Sequence, residues 1–141
     1  MIVLDTNAIS EIFRPSPEAR VIRWLASLTG DVAITSVTLA ELLVGVRRLP
    51  DGRPKTALAN STESVLGQYR GSRSVLLFDE ATVECYADVL VAREGAGAPI
   101  STADAQIAAI CLAQSATCAT RNTKDFEHAG SDLINPWSIG G

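Results

Sequence analysis

Short apolar runs that end in a polar or acidic residue and hand over to a helical pattern recur along this chain, and that alternation constrains its fold more than any other feature. Ile2-Val3-Leu4, two of them β-branched, leads straight into Asp5 and reads as a short strand buried on both faces, as in a parallel sheet. Val32-Ala-Ile-Thr35, residues 74–78, residues 116–120 and Leu133-Ile134 read as further strands. Between them lie helical stripes: Ile9, Ile12 and Phe13 behind Thr6 or Asn7 as cap; Val21, Ile22, Trp24, Leu25 and Leu28; and residues 39–46 behind Ser36 or Thr38. A longer helix spans residues 54–69 and stops at Gly71, and Asp79 caps one whose inner side is Val83, Tyr86, Ala87, Leu90 and Val91. Ser101 caps an Ala-rich helix over 102–114, a polar loop over 121–126 ends in one helical turn, and Gly140-Gly141 is expected to fray. Strands separated throughout by helices predict an α/β chain with a parallel sheet, forming one domain over residues 1–141.

Composition narrows the chemistry. Apolar residues make up 47% of the 141 and charged residues 20%, so the chain is foldable, and disorder is excluded. No apolar run approaches the roughly 18 residues of a membrane span, and no basic leader precedes the first strand, which makes the cytoplasm the expected location. Cys85, Cys111 and Cys118 are odd in number and lack CxxC spacing; they read as small buried apolar residues rather than a disulfide frame or zinc site. His128 is the sole histidine, which leaves little material for His-based catalysis. Sixteen acids against twelve bases give a net charge of −4, which two divalent cations would cancel. Ten of the twelve bases are Arg, and several cluster, as Arg20/Arg23, Arg47/Arg48/Arg53, Arg70/Arg73 and Arg121/Lys124; they are either solvated helix faces or grips for phosphate.

Four acids stand out. Asp5 ends the first strand, Glu41 interrupts an apolar helical run, Asp104 lies in the first turn of the most apolar helix, and Asp125 follows the fourth strand by a short loop. Each has a structural explanation. Asp5 can be a cap or turn residue, residues 38–41 match a capping box, 101–104 and 122–125 resemble one, and acids suit first helical turns. What capping does not explain is that a parallel sheet would gather all four at one edge, where ligands bind in open α/β sheets. Unpaired, they would repel and raise one another's pKa values; hard divalent cations remove that cost, and Mg²⁺ or Mn²⁺ suits oxygen donors where zinc does not.

Asp5-Thr-Asn7, Ser36-Val-Thr-Leu-Ala-Glu41-Leu, Ile100-Ser-Thr-Ala-Asp104 with its following Ala-Gln-Ile, and Ala119-Thr-Arg-Asn122-Thr-Lys-Asp125-Phe together resemble the PIN domain, specifically the VapC/FitB-like toxin ribonucleases. The likeness runs the whole length, including Ile134-Asn-Pro-Trp137. It implies a three-layer α/β/α fold with a central parallel sheet, Mg²⁺- or Mn²⁺-dependent endonucleolytic hydrolysis of RNA, a homodimer, and inhibition by a small cognate antitoxin of a type II toxin-antitoxin pair. Carried over by position, Asp5, Glu41 and Asp104 match the family's chief acids. The fourth place falls to Asp125 or to Asn122; Asp125 is favoured, leaving Asn122 to contact phosphate or water, with Asn7 and Ser36 as supporting polar groups.

Three other readings remain at this level. A phosphatase-type phosphoryl-transfer enzyme of the haloacid dehalogenase kind would want a second Asp where Asn7 stands. A receiver-like module would need its acceptor Asp after a central strand and a Lys opposite, and the chain has only Lys55 and Lys124. A catalytically idle module that keeps the PIN fold for binding nucleic acid or protein is the third.

Overall fold

The computed structural model describes residues 1–71 and 74–139; Arg73 and the Gly140-Gly141 end lie outside the described residues. Five strands, β1 (Ile2–Leu4), β2 (Val32–Thr35), β3 (Ser74–Leu76), β4 (Thr117–Ala119) and β5 (Asp132–Ile134), form one sheet in the order β3-β2-β1-β4-β5. Every pairing is parallel, with Val3 opposite both Ala33 and Cys118. Because strand side chains alternate in direction, Val3, Ala33 and Cys118 enter one core while Leu4, Val32, Ile34 and Ala119 enter the other.

Helices cover both faces, giving three layers. The Val3 face is packed by α5 (Val83–Gly95) through Val89, by α6 (Thr102–Ala113) through Ala105, Ile107, Ala108 and Cys111, and by Phe126 of α7 (Thr123–Phe126). The Leu4 face is packed by α1 (Thr6–Ser10) through Ala8 and Ile9, by α4 (Arg53–Gly71) through Leu66 and Tyr69, and by half-buried residues of α2 (Ala19–Ser27) and α3 (Ser36–Arg47). No helix among the described residues is long and apolar enough to cross a membrane.

Several local expectations need correction. The first helix is a five-residue α1 that tightens into a 3₁₀ turn over Glu11–Phe13, and its cap is Asp5, not Thr6 or Asn7. Thr35 caps α3 by accepting from Thr38 N at 3.1 Å; Ser36 and Thr38 already lie inside the helix, so residues 38–41 are no capping box. The third strand stops at Leu76, and a 3₁₀ turn over Glu80–Thr82 separates the Asp79 cap from α5. Cys111 and Cys118 are buried as expected, but Cys85 is partly exposed.

Strand order sets the position of the site. From β1 the chain first builds outward through β2 and β3, then returns to lay β4 on the opposite side of β1. Loops leaving the carboxyl ends of β1 and β4 therefore diverge, and such a reversal opens a crevice above the sheet.

Candidate active site

Asp5 sits at that crevice, only 4% exposed. Its backbone N–H donates to Ala119 O of β4 at 3.0 Å, and its Oδ1 accepts from Ala8 N at 2.8 Å, satisfying one of the unpaired amides at the start of α1. The Thr120 hydroxyl, at the end of β4, bonds the same carboxyl. Burial pushes the Asp5 pKa up to about 6; the Thr120 and Ala8 bonds oppose the rise, and the charges of Asp104 and Glu41 add to it. The sequence points to mutual repulsion as the cause of such a rise, whereas desolvation is the larger one here.

The other acids arrive from three different elements. Glu41, exposed on α3, accepts a 2.6 Å bond at Oε1 from the Thr6 hydroxyl, which also lies 3.0 Å from Thr38 Oγ1; α1 and α3 are thus tied together beside Asp5. Asp104 is half-buried in the first turn of α6, its N–H donating to Ser101 Oγ at 3.2 Å. Burial raises its pKa, the Ser101 hydroxyl lowers it, Asp125 and Glu41 raise it further, and Arg93 counteracts them. Asp125, exposed in α7, completes the group through its field on Asp104. The four carboxylates are linked electrostatically, yet no three His, Cys, Asp or Glu side chains among the described residues are already drawn together as a metal cage.

The supporting residues divide. Asn7 and Asn122 are exposed and line one groove beside the acids, and Asn122 N donates to Thr120 Oγ1 at 3.0 Å. Ser36 is engaged elsewhere: its Oγ accepts from Phe78 N at 3.3 Å, clamping the start of α3 to the chain leaving β3.

A protein-family profile described as PIN domain matches residues 2–131. The chain is a PIN domain. Toxin FitB of Neisseria gonorrhoeae is 42% identical over 97% of this chain and 99% of its own length, and VapC ribonuclease Y4jK of Sinorhizobium fredii is 38% identical over 97% and 98%. A solved structure of FitAB bound to a DNA fragment superposes with a TM-score of 0.93 at 40% identity, covering 100% of this chain and 99% of that one. This PIN domain therefore groups with the VapC/FitB toxins, as its motifs imply.

Within this PIN domain, Thr6, Thr120 and Arg93 are the residues that sequence reasoning missed. Arg93 is a buried cation, 3% exposed, on α5. Its guanidinium donates to the carbonyls of Lys124 and Glu127, both at 2.8 Å, and of Pro99 at 3.3 Å. It thereby joins the turn carrying Asp125 to the loop leading into the Asp104 helix. Its Nε is buried without a partner among the described residues. Thr6 and Thr120 each directly follow a strand-end residue of the site, a signal available in the sequence; Arg93 sits in an ordinary helical pattern and bonds only backbone, so no spacing marks it.

Proposed function

We propose that this PIN domain, a single unit over residues 1–141, is a metal-dependent endoribonuclease acting in the cytoplasm as the toxin of a type II toxin-antitoxin pair. The observation that carries this reading is a buried carboxylate, Asp5, lying in the field of Glu41 and Asp104 at the switch point of a parallel sheet. Such a group is costly to ionise unless a cation joins it. The donors are all oxygen, which suits Mg²⁺ or Mn²⁺, and Asp5, Glu41, Asp104 and Asp125 are the residues that would hold the ion. When bound, the metal polarises a phosphodiester and makes a water more acidic for in-line attack. The chain does the positioning: Ala8 and Thr120 fix Asp5, the Thr6 hydroxyl steers Glu41, Ser101 holds the start of α6 at Asp104, and Arg93 secures Asp125's turn. Asn7 and Asn122 offer amides to phosphate or water beside the acids, while Ser36 supports from behind by anchoring α3.

The named activity of Y4jK supports RNA as substrate. The toxin name of FitB and the FitAB assembly support a small cognate antitoxin as partner, and we extend the reading to a homodimer. The test is cleavage of a labelled single-stranded RNA by purified protein in Mg²⁺, in Mn²⁺ and in excess chelator. Cuts that require metal and vanish in Asp5→Asn are expected. Intact RNA under every condition, from folded protein freed of any antitoxin, would reduce the chain to a binding module.

A further inference from the structure

Beside the acids, between α1 and the loop after β4, lies a groove of about 360 Å³ of which the catalytic reading uses only the Asn7 and Asn122 edge. Asn7 and Asn122 form the wall it shares with the acid site, being two residues beyond Asp5 and Thr120 respectively. Ser10, Arg14, Arg121 and Trp137 complete the lining together with the buried Glu11.

The groove is built rather than incidental. Glu11 has a side chain only 3% exposed, and its Oε2 accepts from Glu18 N at 2.9 Å while Oε1 pairs with the Arg14 guanidinium at 3.1 Å. Trp137 is held at both backbone ends, its N–H donating to Asn135 Oδ1 at 2.9 Å and its carbonyl accepting from Arg20 at 2.7 Å. On that fixed ring lies the Arg121 guanidinium, its Cζ 5.3 Å from the ring centroid. The Asn135 amide donates to Arg121 O at 3.5 Å, tying the two walls. Among the described residues no carboxylate forms a salt bridge with Arg121. Two guanidiniums thus face one carboxylate, leaving one positive charge with a planar fork of donors at the mouth of a polar cavity. That is the complement of a singly charged phosphodiester.

We propose that this groove is a phosphate subsite that takes the RNA phosphodiester adjacent to the scissile one, with Arg121, preset by Trp137, as its chief contact. The proposal rests on the ribonuclease reading: a strand whose scissile phosphate lies at Asp5 continues past Asn7 and Asn122 into this cavity. It also gives an acidic protein a local cationic hold on an anionic substrate, which its net charge of −4 otherwise disfavours.

The test compares the parent chain with Arg121→Gln, Arg121→Lys and, as a control at an exposed Arg outside the groove lining, Arg23→Gln. Binding of a fluorescein-labelled single-stranded 12-nucleotide RNA is followed by anisotropy in chelator, across a salt series. Arg121→Gln should weaken binding about tenfold and flatten the slope of log K against log salt by about 0.7, the value for one phosphate on a single strand. Arg121→Lys should keep the slope and lose part of the affinity, and Arg23→Gln should match the parent. Hydrolysis of bis(p-nitrophenyl) phosphate, which has no second phosphodiester, should lose less in Arg121→Gln than RNA cleavage does when metal is present. Unchanged RNA affinity and slope in Arg121→Gln would overturn the subsite, as would an equal loss on the small diester. If the parent itself cleaves neither RNA nor the diester, the ribonuclease reading has failed instead. Loss of binding to a peptide ending in a free carboxylate, with RNA binding intact, would give the groove to a protein partner and overturn the proposal.

Discussion

Asp5 caps α1 through the Ala8 amide while carrying a charge that burial and the fields of Asp104 and Glu41 all disfavour. Asn keeps an oxygen for the Ala8 N–H and discards the charge, and it is an equally good N-cap. Asp5→Asn should therefore raise the stability of the metal-free chain by about 1 kcal/mol, or roughly 3 to 5 °C in Tm, while RNA cleavage falls by on the order of 10²-fold or more. Calorimetry and a cleavage assay on the same preparation check both halves; a variant that loses activity together with its fold would contradict the account. At this scale the sequence was informative about which side chains to suspect and less so about what they do. A strand-end Asp reads equally as a cap or as a chemical group, and the structure has Asp5 as a buried cap inside the acid cluster. Thr6 reads from the sequence only as a cap candidate and Thr120 only as a strand residue, because a hydroxyl reveals a partner such as Glu41 or Asp5 only when distant segments are laid side by side.

Helix α6 ends with Ser115 in the left-handed region, at φ 50°, where Ser115 N donates to Leu112 O at 3.1 Å and Ala116 N to Cys111 O at 2.9 Å. This six-to-one pattern normally takes Gly at the left-handed position. Ser115→Gly should stabilise the fold by roughly 0.5 to 1 kcal/mol without touching activity, read as a higher urea midpoint at unchanged m-value. The opposite outcome is expected on α5. Replacing Arg93 by Lys keeps the charge but cannot supply one planar fork to three carbonyls, so Asp104 and Asp125 lose their common brace. Arg93→Lys should cost about 1 to 3 kcal/mol. It should also lower kcat about tenfold, with KM changed less, and folding at 10 °C with that kcat retained in full would refute the brace. Elements were legible where periodicity was long, as in α6, and where a strand was a pure apolar run, as in β1 and β2; α5 was legible as a helix but its inner side was not, since Val83, Ala87 and Val91 are exposed and Val89 and Arg93 are the buried residues. Caps were misplaced by one to three residues because Leu4 and Thr35 pass into helices with no intervening loop, so the last strand residue or its neighbour caps the helix itself. Arg93 stayed hidden because its three partners are backbone carbonyls, which no residue type encodes.

Across the molecule, opposing titrations set a preferred pH for the metal-free chain. Asp5 has its native pKa raised from 3.8 to about 6, so its protonated form favours the fold; stability grows as pH falls through 6 and the gain is complete near 3.8. Glu11 runs the other way: burial would raise its pKa, but the Glu18 amide and Arg14 hold it below the usual 4.5, so its contribution is present above that pH and lost on further acidification. Metal-free protein should therefore be most stable between about pH 4.5 and 6, and millimolar Mg²⁺ or Mn²⁺ should shift the optimum upward by favouring ionised Asp5. Melting curves from pH 4 to 8, with and without the ion, decide this; an optimum that ignores the ion would remove the acids as its ligands. The fold class was readable because every strand alternated with a helix, but the return of the chain to the far side of β1 was not, since a pairing such as Ile2 with Thr117 spans nearly the whole sequence. That long pairing also orders events during translation. A nascent chain can complete β1, β2 and β3, with Thr6 already able to tie Glu41 beside Asp5, and still lack β4, Thr120 and the turn that carries Asp125, so the four-acid group closes only when nearly the whole chain has been made.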